Sequence, residues 1–158
     1  MKADKSKFSK DIENINIICP DSSILIYHLE DIKPYSDLTE MLIMSISCDI
    51  LKALISTISI TELMTKPYSE GDMKKIFIFK RFIQSLPSTE IIPPDFVIAQ
   101  EAARLRGQYR LKTPDAILLA TVIQKGGNAF ITNDIHFKKI ILDDVKIIFL
   151  DDYISKVI

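Results

Sequence analysis

Four acids, Asp21, Glu62, Asp115 and Asp134, fall where the chain passes between backbone elements, and that placement suggests a shared chemistry. Carboxylates crowded into one pocket repel one another and raise each other's pKa values. A hard divalent cation removes the conflict. Mg²⁺ and Mn²⁺ take oxygen ligands, keep several waters, and bind through a few carboxylates together with substrate phosphate. Phosphodiester hydrolysis suits such a site: one ion lowers the pKa of an attacking water, and a second, about 3.5–4 Å away, stabilises the leaving oxygen. No cysteine or histidine is required. Cys19 and Cys48 have neither the spacing of a zinc site nor that of a disulfide framework, and the two histidines are far apart.

The four acids are positioned by elements legible in the sequence. The β-branched run Ile15 to Cys19, closed by Pro20-Asp21, reads as a buried strand, with a helix over Ser22 to Leu29 capped by Ser22 or Ser23. Asp37 to Cys48 has mixed helical spacing. A second strand is expected at Ala53 to Thr57, then a short helix opened by Ser59 or Thr61, carrying Glu62 and stopped by Pro67. Asp72 to Leu86 is an amphipathic helix, its aromatic residues spaced for a core or a dimer interface. Glu90 to Ile92 is a third strand, and Asp95 caps a helix reaching Arg106. Thr113-Pro114-Asp115 has a cap residue, a proline and a first-turn acid, which together mark a helix start, and Gly126-Gly127 ends that helix. Ala129 to Thr132 and Val145 to Leu150 are the last two strands.

Strands alternating with helices imply an α/β architecture with a mainly parallel sheet. In such sheets function gathers beyond the carboxyl ends of the strands. Asp21 and Asp134 follow strands, Glu62 lies in the helix entered from a strand, and Asp115 opens a helix that runs antiparallel to them. All four are therefore expected at one sheet edge.

The 158 residues, 47% hydrophobic with four glycines, are enough for one folded domain. Residues 1–13 are polar and expected as a flexible N-terminal arm, with 14–158 a single domain. A formal charge of −1 argues against a general nucleic-acid coat, yet setting the four acids aside leaves a mildly basic remainder, compatible with a phosphate-bearing substrate. The N-terminal residues lack the apolar core of a secretory signal, and Met41 to Ile60 is interrupted by Asp49 and Lys52. A soluble, cytoplasmic protein without a membrane span is expected.

The motifs resemble those of the PIN-domain nucleases. IICPDSSILIYHL looks like the first motif of that family, ISTISITEL is similar to the second, and KTPDAILLATVIQKGGNAFITNDIHF matches the third and fourth in order. The resemblance spans roughly residues 15–150. It implies a three-layer α/β/α sandwich, with Asp21, Glu62, Asp115 and Asp134 as both catalytic residues and ligands of Mg²⁺ or Mn²⁺, and an RNA substrate. Small standalone members are often toxins of VapBC-type toxin–antitoxin pairs, which implies a homodimer and a small antitoxin partner. Thr132 and Asn133 match residues that accompany the fourth acid. The alternatives are a non-catalytic RNA- or protein-binding module, or a DNA nuclease with the same metal chemistry.

Each acid also has an ordinary structural reading. Asp21 and Asp134 suit turns after strands, and Asp115 complements a helix dipole for about 0.3–1 kcal/mol. Their coincidence at one edge favours the site. Two readings stand for the basic run Arg104, Arg106, Arg110 and Lys112: a solvated helix face, or contacts to substrate phosphates. His136 is read as an exposed loop residue within reach of the site, and Asp143, Asp144, Asp151 and Asp152 as surface acids.

Overall fold

The computed structural model describes residues 1–155. Residues 156–158, the end of the expected 14–158 domain, lie outside the described residues. In chain order the elements begin with β1 (Lys2–Ala3), α1 (Lys5–Ile12), β2 (Ile17–Pro20), α2 (Ser22–Leu29) and α3 (Tyr35–Ser47). Next come β3 (Lys52–Ser56), α4 (Thr57–Ser69), α5 (Met73–Ser85), β4 (Thr89–Ile92), α6 (Phe96–Tyr109) and α7 (Thr113–Gln124). The chain continues with β5 (Ala129–Thr132), a 3-10 turn over Ile135–Lys139, β6 (Lys146–Phe149), a second 3-10 turn over Leu150–Tyr153, and β7 (Ile154–Ser155).

The central sheet has the order β4-β3-β2-β5-β6, and every pairing in it is parallel. Side chains alternate across it, as the period of two demands. Ile18, Ala53, Ala129 and Ile131 face a core shared with α1, α2 and α3 through Phe8, Ile24, Leu38 and Leu42. Cys19, Leu54 and Phe130 face the opposite core, built from Ile98, Leu105, Leu118 and Leu119 of α6 and α7. A third cluster, Leu25, Ile55, Leu63, Phe79 and Ile83, seats α4 and α5 against α2 and β3. The result is the expected α/β/α sandwich, with β2 and β5 at its centre. Among the described residues no helix is long and apolar enough to cross a membrane.

Two expectations differ from the structure. Residues 1–13 are not a loose arm: β1 pairs antiparallel with β7, and Phe8 of α1 is fully buried, its ring edge-on to Tyr153 at 4.9 Å. Composition hides this because two buried residues, Phe8 and Ile12, suffice to dock one short helix whose other residues stay polar. Secondly, α4 starts at Thr57, ahead of the expected Ser59 or Thr61, and runs through Pro67. Ser56, the last strand residue, caps the helix by accepting from the Ile58 amide, so strand passes directly into helix. Pro67 is buried in the last turn, where it forgoes one intrahelical bond, and its carbonyl accepts from Asp72 N–H at 2.9 Å.

Because α1 docks through one large side chain, Phe8→Ala should destabilise the protein by about 3–5 kcal/mol. Urea unfolding of the full chain measures this; an unchanged midpoint would mean that α1 is not part of the cooperative fold.

Candidate metal centre

The β2–β5 ladder brings the first and fourth acids together. In register, Pro20 lies opposite Ile131, and the Asp21 N–H extends the ladder by one rung, donating to Ile131 O at 2.9 Å. Asp21 is then the cap residue of α2, in extended conformation, and only 9% exposed. One step beyond the ladder, the buried Thr132 hydroxyl donates to Asp21 Oδ2 at 2.7 Å and accepts from the Asp134 N–H at 3.0 Å. A single side chain thus ties the end of β2 to the turn after β5. Ser22 Oγ donates to the other Asp21 oxygen at 3.3 Å.

Asp134 opens the 3-10 turn, and its hydrogen bonds both fall on Oδ1, from the His136 amide at 2.9 Å and against His136 Nδ1 at 2.6 Å. Asp115 sits in the first turn of α7, whose cap residue is Lys112 rather than the expected Thr113. Glu62 comes from α4 and is exposed. All four acids line one open cleft of about 350 Å³, together with Ser22, Ser23, Tyr27 and Asn133. Sequence reasoning therefore placed the four acids in one cleft, and it missed Tyr27 and the wall serines, whose types carry no signal of their own.

The electrostatics are those of a site in which acids outnumber the positive charge beside them. Burial pushes the Asp21 carboxyl above the usual carboxylate range and Asp134 adds repulsion, against hydrogen bonds from Thr132 and Ser22 that pull it down. Asp115 is also raised, by burial first and then by Asp134, Asp21 and Glu62, with Lys112 opposing. Asp134 behaves differently. Burial pushes it up, but the hydrogen bonds and charge of His136, with Lys112, outweigh this and leave it below the usual range.

Of the basic run, Lys112 is the residue that acts on the acids. Arg104 pairs with Glu101 and Gln108, and Arg106 donates to Leu111 O, so these two serve α6 and its exit turn.

The donor set fits a hard divalent cation. It is all oxygen, Asp21 within it is desolvated, and the wall adds Ser23 Oγ, which is buried without a hydrogen-bond partner among the described residues. Among the described residues no three acids are close enough to hold one ion by direct contact alone.

Residues 18–141 match the PIN domain. Among solved structures, the fold is similar to a toxin–antitoxin complex from Klebsiella pneumoniae at 28% identity and TM-score 0.59, covering 81% of this chain and 94% of that one. VapBC2 from Rickettsia felis, solved bound to a fragment of its promoter DNA, is 20% identical with TM-score 0.61, over 84% and 98% of the two chains. VapC20 of Mycobacterium tuberculosis, a sarcin–ricin loop-cleaving toxin, is 13% identical with TM-score 0.59, over 72% and 86%. No curated protein matches the chain in sequence.

Two outcomes follow from this geometry. Thr132→Val keeps the shape but leaves Asp21 Oδ2 and the Asp134 amide unpaired, and should cost about 1–3 kcal/mol in chemical denaturation. Asp21→Asn should raise the melting temperature of the chelator-treated protein at neutral pH. The raised Asp21 carboxyl keeps its proton in the folded state where the unfolded chain has lost it. Native stability of the metal-free protein therefore falls as pH rises from the ordinary value of 3.8 through the raised one. The Asn variant lacks that slope, so a gain that persisted unchanged at acid pH would contradict this cause.

Proposed function

The chain belongs to the PIN domain family, and we propose that it is a metal-dependent endoribonuclease acting through Asp21, Glu62, Asp115 and Asp134. One observation carries the reading: acids from four separate elements line one cleft, two of them pushed up by burial and by neighbouring acids. Mg²⁺ or Mn²⁺ held by these carboxylates would neutralise their repulsion, offer a charge to a substrate phosphate and lower the pKa of an attacking water.

The chain's own groups set up that chemistry. Thr132 and Ser22 orient the two oxygens of Asp21, while His136 engages Oδ1 of Asp134. Lys112 supplies positive charge next to Asp115 and Asp134, where a phosphate oxygen would be drawn in. Asn133 and Tyr27 form the adjoining wall. The cleft is open, as a polymeric substrate requires.

An RNA substrate is supported by the likeness to VapC20, itself a sarcin–ricin loop-cleaving toxin. The toxin–antitoxin neighbours support a role as the toxin of a VapBC-type pair with an antitoxin partner; a small antitoxin and a homodimeric state belong to the same proposal. Large apolar side chains left in solvent, among them Phe77 on α5 and Phe96 on α6, supply surface for such partners.

The purified protein with Mn²⁺ or Mg²⁺ should cleave a mixed RNA pool in preference to single-stranded DNA, and EDTA should stop it. Asp21→Asn and Asp115→Asn should each slow cleavage by about 10²–10³-fold, the several kcal/mol expected of metal-assisted charge stabilisation. Equal cleavage by the native chain and both variants would remove the site; equal or better cleavage of DNA would replace the substrate.

A further inference from the structure

We propose that Tyr35 and Asp151 are positioning residues for the acidic cleft, closing with Tyr27 and Asn133 a ring that fixes the Asn133 side chain. Tyr35 Oη donates to Asp151 Oδ1 at 2.7 Å, and the Asp151 N–H donates to Asn133 Oδ1 at 2.9 Å. Asn133 Nδ2 donates to Tyr27 Oη at 3.4 Å, and the Tyr27 and Tyr35 rings stack with centroids 4.5 Å apart and planes 16° apart. Tyr27 and Asn133 line the cleft with the four acids; Tyr35 and Asp151 stand behind them. The ring therefore leads from outside the cleft to its wall.

Its effect follows from the chemistry of a side-chain amide. Asn carries an acceptor at one end and two N–H donors at the other, and either end can be turned to a given neighbour. A backbone N–H that claims Oδ1 removes that freedom and leaves Nδ2 as the donating end. Tyr27 engages one of its two N–H groups, and the other remains for a phosphate oxygen or a water beside Asp134. Tyr35 keeps its part of the ring at neutral pH, because its hydrogen bond to Asp151, with burial second, pushes its hydroxyl up to about 12.

The backbone that carries the Asp151 N–H is itself held from the far side by the N-terminal segment. Asp4 N–H donates to Tyr153 O at 2.7 Å, Lys7 Nζ to Asp152 O at 3.0 Å, and Tyr153 Oη to Asp11 Oδ2 at 2.9 Å. With Phe8 packed on Tyr153, the 3-10 turn of Leu150–Tyr153 is fixed on both sides. The Tyr35–Asp151 bond is open to solvent, so each link is modest and the expected effects are several-fold.

The catalytic part of this assignment rests on the nuclease reading; the ring's hold on Asn133 does not. The test therefore has two readouts on the full chain. The first is the Asn133 side-chain amide signal in NMR of the metal-free protein. Tyr35→Phe, which keeps the stacked ring, and Asp151→Ala should shift or broaden it, whereas Asp151→Asn, which retains an acceptor, should leave it near its native position. Unchanged signals in Tyr35→Phe and Asp151→Ala would overturn the ring whatever the activity.

The second readout is RNA cleavage. Tyr35→Phe should lower kcat about three- to tenfold, the range of one net hydrogen bond, and should cause no further loss in an Asn133→Ala background. Additive losses would overturn positioning through Asn133 even if the amide signal moves. A native protein that cleaves no RNA would remove the nuclease reading and the catalytic role with it, while the amide signal would still decide the ring.

Discussion

The pairing of β2 with β5 is the constraint on which the site depends. Its last rung is made by Asp21 itself, whose N–H donates to Ile131, so the backbone that carries the carboxylate is fixed within the sheet. Thr132 converts that backbone register into side-chain geometry by bonding Asp21 with its proton and the Asp134 amide with its lone pair. Both neighbours of this pair follow. β3 lies beside β2 and runs straight into α4, which delivers Glu62, and α7 returns antiparallel to deliver Asp115.

Such crowding of like charge costs stability, and the fold offsets it with apolar surface on both faces of the sheet. Ile18, Cys19, Phe130 and Ile131, the residues that carry the acids to the edge, are essentially unexposed. The acids are not equivalent within this frame. Asp21 is held by hydroxyls in a desolvated place, Asp134 is supported by His136, and Glu62 stands exposed on α4. Lys112 provides charge beside Asp115 and Asp134.

The sequence made much of this legible where the determinants are local. Ala129–Thr132 is a buried β-branched and aromatic run with a turn pair behind it, and its observed bounds are those expected. Thr113-Pro114-Asp115 starts its helix, and the four acids meet because alternation of strand and helix leaves them one edge to share. What stayed hidden depends on distant partners. Phe8 reads as one apolar residue in a charged stretch, and partners distant in sequence, Tyr153 and Leu38 among them, make it core. Asp151 has the appearance of a surface acid until its backbone is seen on Asn133 and its carboxylate on Tyr35. Pro67 looks like a stop because a sequence does not show that the proline is buried inside its helix, with its carbonyl taken by the Asp72 amide.

The docking of α1 against Tyr153 also orders events in time. In synthesis from the N-terminal side, α1 emerges well before Tyr153 and the β7 strand that receive it, which follow about 140 residues later. At roughly 5–20 residues per second that is a wait on the order of ten to thirty seconds. A helix of eight residues has little stability alone during that interval. The acids of β2, α4, α7 and β5 have all left the ribosome before the Leu150–Tyr153 turn can be clamped. Completion of the cleft wall is thereby coupled to the synthesis of the Leu150–Tyr153 segment.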